Sequence, residues 1–259
     1  MTATVLMYHA ILSGGAPAGA DPHYTVSRTD FISHLETIRA RGMKATSVRD
    51  LLLNREQVRD CVAMTFDDGH LSNYEVAFPL LVEHRAAADF FVNPSTVGLP
   101  PYVTWSALRE MSDAGMSIQS HGHSHRYFDD LRPEEVRDEL MRSKAEIENH
   151  VGQAVTIFAP PGGRFNRRVS RIAWECGYRA LCISRPGRWR IDSRVIPRMA
   201  VLATTPLARI DAWAQGKSPE MSKQVTYYWA KYVVKRLLGN ALYDRMRHHL
   251  LQPNGKETA

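Results

Sequence analysis

Three cysteines in 259 residues, Cys61, Cys176 and Cys182, are odd in number, and none stands at Cys-x-x-Cys spacing. That excludes a disulfide framework and a thiolate metal site, and the three read as small buried hydrophobes in a reducing compartment. No apolar run reaches the roughly 18 residues that would suggest a membrane-spanning helix. Residues 1–10 have no basic segment ahead of a short apolar run that already contains Tyr8 and His9, so a secretory signal is not expected and a cytoplasmic location is. Internal repeats and low-complexity tracts are also missing. With 44% hydrophobic and 23% charged residues, the composition excludes a disordered chain and describes an ordinary globular one.

What is present in excess is positive charge, +6 at pH 7, and it is unevenly placed. Lys223, Lys231, Lys235, Arg236, Arg245 and Arg247 against Asp244 put +5 into residues 223–251 and leave residues 1–222 almost neutral. A near-neutral body makes nucleic acid a poor partner. Residues 223–251 are apolar around most of a helical circumference, with Gln224, Lys231 and Lys235 on one face. Such a segment must be covered. It either packs on the body as an outer helix or lies peripherally on the inner face of a membrane, where it would meet a lipid-linked saccharide.

Short apolar runs alternate with stretches of helical period. Strands are expected at 4–8, 61–66, 88–92, 116–119, 155–159 and 179–183, and helices at 30–41, 72–84, 104–114 and 133–150. Strict alternation over roughly 200 residues indicates a barrel or a doubly wound sheet, with functional groups at the C-terminal ends of strands. The composition changes near Thr204, and residues 214–220 read as a linker. The expected division is a catalytic barrel over 1–206, then a linker and a basic apolar helical segment over 207–259.

Two polar clusters obey the strand-end rule. Met64-Thr65-Phe66-Asp67-Asp68-Gly69-His70 places adjacent carboxylates after an apolar strand; taken alone this reads as a turn capping the next helix. Ser120-His121-Gly122-His123-Ser124-His125 then places three imidazoles within five residues after another strand. A helical turn would align His121 with His125, whereas an extended segment would align all three. Two histidines and an aspartate form a hydrolytic metal arrangement, with zinc the expected ion in the absence of thiolates.

Thr65-Phe66-Asp67-Asp68-Gly69 followed by His121-x-x-x-His125 resembles the first two motifs of the polysaccharide deacetylases, the NodB-homology or carbohydrate esterase 4 family. The resemblance runs from Val5 to about Val201. It implies a distorted (β/α)7 barrel and a metal-dependent hydrolase acting on carbon–nitrogen bonds other than peptide bonds, one that removes an acyl group from an amino sugar. It makes Asp68, His121 and His125 the metal ligands, with His123 as second choice, and Asp67 the general base. Residues 158–166 are similar to the third motif. There Pro161, Gly162 and Gly163 line the substrate groove, and the backbone N–H of Gly162 is available to the oxyanion. Ala159 stands where the family places an arginine that orients the base, Gly162 stands where it places an aromatic, and Arg198 is the expected substitute for the arginine. The family's late Leu-x-His motif has no counterpart after Val195. Leu6-Met7-Tyr8-His9 resembles instead the opening of the branch that deacetylates poly-N-acetylglucosamine, which makes His9 the general acid.

The expected substrate is an N-acetylated saccharide. The alternatives are an amidase acting on a non-sugar amide and a non-catalytic carbohydrate-binding or membrane-associated relative, the latter motivated by Ala159. Tyr102, Trp105 and Trp189 are candidates for stacking on sugar rings, with core packing the plainer reading for Trp105. Arg164, Arg167 and Arg168 are candidates for a phosphate contact or a solvated helix start.

Overall fold

A computed structural model describes residues 1–14, 19–217 and 225–226. The first strand, β1 (Thr2–Tyr8), is followed by a small parallel pair, β2 (Ala10–Leu12) and β3 (Thr25–Ser27), and by α1 (Arg28–Ala40), capped by the Ser27 side chain. Two short elements not expected from the sequence come next, β4 (Lys44–Thr46) and α2 (Val48–Leu53). Then follow β5 (Cys61–Phe66), α3 (Phe78–Glu83), β6 (Asp89–Val92), α4 (Trp105–Asp113), β7 (Ser117–Ser120), α5 (Pro133–Val151), β8 (Ile157–Phe158), α6 (Arg167–Glu175) and β9 (Ala180–Ile183). The chain ends its described body with β10 (Trp189–Arg190), β11 (Val195–Pro197), β12 (Met199–Ala200) and α7 (Leu207–Ala214).

Strands β1, β5, β6, β7, β8, β9 and β11 run parallel in that order. Arg198 alone separates β11, paired with β9, from β12, which pairs with β1 through Leu6 and Met199. The last stave is thus one irregular segment that joins β9 to β1 and closes the ring. Counted this way the barrel has seven staves, the distorted (β/α)7 architecture expected from the motifs.

Side chains alternate across each stave and sort into two clusters. Val62, Met64 and Phe66 face the helices with Leu6, Phe90, Ile118 and Leu181. Ala63 points inward with Val5, Phe91, Ile157, Ala180 and Ile196. Continuing the inward parity past the strand ends gives Asp67 after β5, His121 after β7, Ala159 after β8 and Arg198 after β11. On the outer side, Tyr8, Phe66 and Phe90 are register partners that stack at 5.3 and 4.8 Å. Each such aromatic pair contributes about 0.5–1.5 kcal/mol beyond its buried area and fixes the ends of β1, β5 and β6 level with one another.

Two expectations need correction. The helix expected over 72–84 opens as a π-helical stretch, Asn73–Ala77, before α3. Pro79 has no N–H to give the Glu75 carbonyl, and the Phe78 N–H bonds instead to Asn73, five residues back. The boundary at 206/207 also falls inside the body. In α7 Trp213 is fully buried, its carbonyl accepts from the Thr4 hydroxyl at 2.7 Å, and Asp211 takes both arms of Arg41 at 2.7 and 2.8 Å. The linker read over 214–220 therefore begins after α7, and its residues beyond 217, like most of the basic segment 223–251, lie outside the described residues.

Candidate active site

Asp67 and Arg198 meet inside the mouth of the barrel. The guanidinium donates to both carboxylate oxygens, at 2.6 and 2.8 Å, and to the Thr65 hydroxyl at 3.1 Å. Both residues are almost fully buried. Burial works to raise the Asp67 carboxyl, but the charges of Arg198 and His121 and the Arg198 hydrogen bonds outweigh it and hold the group below the ordinary carboxylate range. Arg198 thus stands where the sequence placed a substitute for the missing arginine, reaching Asp67 from the closing stave.

Asp68 follows with φ +73° and Gly69 with φ +68°, so the chain turns sharply at the strand end and swings the Asp68 carboxylate out of the stave. A side chain at Gly69 would meet Val92 at 3.1 Å in addition to the strain of its φ. Among the described residues three non-glycine positions have positive φ, and two of them are Asp68 and His125, which concentrates backbone strain at this site. Asp68 Oδ1 lies 3.2 Å from His121 Nε2 and 3.2 Å from His125 Nε2. Burial would raise the Asp68 carboxyl, yet the bonds from the two imidazoles hold it well below the usual range; Asp68 in turn raises His125.

The three groups fit a metal ion. His121 Nδ1 is 2.7 Å from the Ala159 carbonyl, which only accepts, so Nδ1 carries a hydrogen and Nε2, which faces Asp68, is the atom left to bind an ion. With an ion bound, that nitrogen, His125 Nε2 and the Asp68 carboxylate would all turn lone pairs to it. Donors about 2.0–2.1 Å from an ion stand about 3.0 Å apart at right angles and about 3.4 Å apart in a tetrahedron, which brackets the observed 3.2 Å. The carbonyl of Ala159 supplies the orienting contact typical behind a ligating histidine, and it does so whatever side chain stands there.

His123 does not join them. Its Nε2 is 3.1 Å from Glu146 Oε2 and 3.5 Å from Arg142, both on α5. The chain leaves the sheet at Ser120 and Gly122 has φ +81°, so neither helical nor extended periodicity governs 121–125, and His121 and His125 converge without the residue between them. Side chains that the sequence analysis passed over hold this loop. Asn93, after β6, donates to the carbonyls of His121 and Gly122 at 2.7 and 3.2 Å. Glu139 on α5 accepts from the backbone N–H of His123 and Ser124 at 2.8 and 2.9 Å and from the Ser124 hydroxyl. One signal was available for Glu139. It lies beside Val136, Leu140, Ser143 and Ile147, the buried stripe of α5, although the helix is rich in charged residues.

His9 leaves the end of β1 half-buried, its ring 4.5 Å from Tyr24 and its carbonyl accepting from Asn73 at 2.6 Å. Its Nδ1 is buried without a partner, and it lies near enough for its charge to depress the carboxyls of both Asp67 and Asp68. Pro161, Gly162 and Gly163 form a tight turn beyond β8, with Gly162 at φ +62°. A Cβ on Gly162 would meet the Tyr127 ring at 3.0 Å, so this turn has an aromatic neighbour supplied by the chain just past His125. Arg164 lies over the same ring at 3.9 Å. Arg168 is spent on the Leu131 carbonyl, at 2.6 Å. Trp189 is buried and donates to the Ser193 carbonyl, Trp105 stacks on His150 at 4.3 Å, and Tyr102 bridges to His70 through the backbone. Trp189 and Trp105 are therefore engaged within the body, as core packing predicts.

Residues 54–181 match the model of the polysaccharide deacetylase family. YxkH of Bacillus subtilis is 29% identical over 187 residues, covering 71% of this chain and 64% of its own length. The peptidoglycan-N-acetylglucosamine deacetylase of Bacillus cereus is 31% identical over 142 residues, 54% of this chain and 61% of its own. The chain thus spans slightly under two thirds of these relatives. Among solved structures, the Streptococcus pyogenes deacetylase PplD in complex with acetate superimposes with a TM-score of 0.73 at 26% identity, covering 80% of this chain and 96% of its own. IcaB from Ammonifex degensii gives 0.70 at 26% identity, with 83% and 97% covered.

Proposed function

We propose, from the match of residues 54–181 to the polysaccharide deacetylase family, that the chain is a metal-dependent hydrolase that removes an N-acetyl or other short acyl group from an amino sugar of a polysaccharide, oligosaccharide or lipid-linked saccharide. The observation that carries the reading is the pairing of two arrangements at one strand end: a carboxylate gripped by a buried guanidinium, and beside it three side chains whose potential ligand atoms lie within 4.8 Å of one another.

Asp68, His121 and His125 would hold a divalent ion, zinc for this nitrogen and oxygen set, which when bound supplies a Lewis acid and acidifies a water towards a pKa of roughly 7. Asp67, kept ionised by Arg198, takes the proton of the attacking water on a carboxylate oxygen. The grip of Arg198 on both oxygens fixes the carboxylate plane and leaves the remaining lone pairs for that proton. Charge developing on the amide oxygen is met by the backbone N–H of Gly162, a preorganised donor of a kind worth about 3 kcal/mol. His9 gives a proton to the departing nitrogen, so that a free amine and a carboxylic acid leave. With Arg198 supporting the base, Ala159 no longer favours a non-catalytic relative.

The test is zinc content together with acetate release from N-acetylated oligosaccharides, peptidoglycan fragments and lipid-linked sugars. Asp67→Asn is expected to keep the metal and lose about 10²- to 10⁴-fold in rate. Zinc-loaded protein that releases no acetate from any of these overturns the reading, and cleavage of non-sugar amides alone would make it an amidase of another kind. For the cellular setting we propose a peripheral site on the inner face of the membrane, reached through residues 223–251, on the basis of their +5 charge and apolar circumference. Flotation on anionic vesicles that is equal with and without residues 218–259 would reject it.

A further inference from the structure

The loop bearing both imidazoles has left the sheet, so its backbone N–H groups need acceptors from elsewhere. α5 supplies them along one stripe. Ser143 bonds Ser120 at 2.8 Å, and the Ser120 hydroxyl accepts from the Gly122 N–H at 3.1 Å. Glu139, four residues earlier and 7% exposed, takes the next two N–H groups, of His123 and Ser124, together with the Ser124 hydroxyl. Glu146, seven residues after Glu139, takes the His123 ring and turns it outward. The three consecutive N–H groups between His121 and His125 are all claimed by side chains, and two of the three by one carboxylate. A carboxylate with three donors from one loop fixes that loop more tightly than any single bond, because the loop cannot shift without breaking several bonds at once.

We infer that Glu139 is a positioning residue for the metal centre: by anchoring the backbone at His123 and Ser124 it sets the separation of His121 and His125 and keeps His123 out of the ligand set. The inference rests on the reading of Asp68, His121 and His125 as ligands, and it assigns Glu139 no contact with substrate or ion.

The two ideas are separated by measuring zinc affinity, by chelator competition on metal-free, folded protein, for the wild type and for Glu139→Gln, Glu139→Met and Glu139→Asp. Wild type that binds no zinc removes the ligand reading itself. Given wild-type binding, the Gln variant retains an amide oxygen for the two N–H groups and an NH2 for the Ser124 hydroxyl, and is expected to stay within about threefold of wild type. Met has similar length and no comparable acceptor, and its affinity is expected to fall about 10- to 100-fold, the scale found for groups that orient ligands. The d–d spectrum of the cobalt-substituted Met variant should change with it. A merely structural role would lower the melting temperature and leave the affinity and cobalt spectrum of the folded protein alone, and that result overturns the inference. So would a Gln variant as weak as Met, which would assign the effect to charge. Should the Met variant fail to fold, Asp decides: its carboxylate is withdrawn by one methylene, and unchanged zinc affinity would be fatal.

Discussion

Two inward carboxylates on neighbouring staves show what burial alone does and does not accomplish. Asp67 follows β5 and Asp89 begins β6, in register with Thr65. Both are buried. Asp67 faces a guanidinium that bonds both its oxygens and is held below the usual carboxylate range. Asp89 has the N–H groups of Val48 and Arg49, at the start of α2, and the Ser117 hydroxyl. Burial dominates there and pushes it up to about 6. The same side chain in the same interior is held firmly ionised in one place and keeps its proton up to about pH 6 in the other. What separates them most is Arg198, with His121 adding to it, so the charge on Asp67 depends on the closing stave and not on burial in the barrel alone.

Breaking the first half of the contrast should give the largest effect. Arg198→Met leaves Asp67 buried without its partner and is expected to cost about 3–5 kcal/mol in urea unfolding and to abolish acetate release. Asp67→Leu/Arg198→Met should recover most of that stability while remaining inactive. A single variant as stable as wild type would mean that the pair is solvated and that the contrast does not exist. The second half is tested by pH. The folded pKa of Asp89, about 6, lies above the ordinary 3.8, so its contribution is intact below about pH 4 and is lost as pH rises through 6. The shift corresponds to about 3 kcal/mol. In Asp89→Asn, whatever its absolute stability, the difference from wild type should change by that order between pH 4 and 7, and parallel stability curves would refute it. The smallest effect belongs to His123. Since it bonds α5 rather than Asp68, His123→Ala should leave zinc affinity within about twofold, and a loss of tenfold or more would return it to the ligand set.

The parts of this site that lie on staves were legible in the sequence, because period-two alternation carries from an apolar run to the residue just beyond it. Asp67 after Cys61–Phe66 and His121 after Ser117–Ser120 are of this kind. The closing stave was harder to read. Val195–Pro197 and Met199–Ala200 are three and two residues long and split by an arginine, so no hydrophobic run marks them as strand, although the resemblance pointed to Arg198 as the substitute for the arginine absent at Ala159. His123 stood only as a second-choice ligand because the helical and extended periodicities disagree about it, and residues 121–125 follow neither. Glu139 went unnoticed for a related reason. A glutamate on a helix rich in Glu, Arg and Lys looks solvated until it is known which loop lies across that face, and that is a tertiary fact. Lys44–Thr46 and Val48–Leu53 were missed as short elements whose stability comes from packing against β5 rather than from local propensity.

The seam of the barrel has a consequence for the order in which competence arises. Arg198 is the single residue between the segment that zips onto β9 and the segment that zips onto β1, so it reaches Asp67 when both are seated. A chain still emerging from the ribosome short of this stave, or one nicked between β9 and β12, would hold its aspartates and histidines at their strand ends and yet lack the guanidinium that keeps Asp67 charged. If the proposed function holds, an open barrel would be a silent one, because Asp67 would wait on the closing stave for its guanidinium.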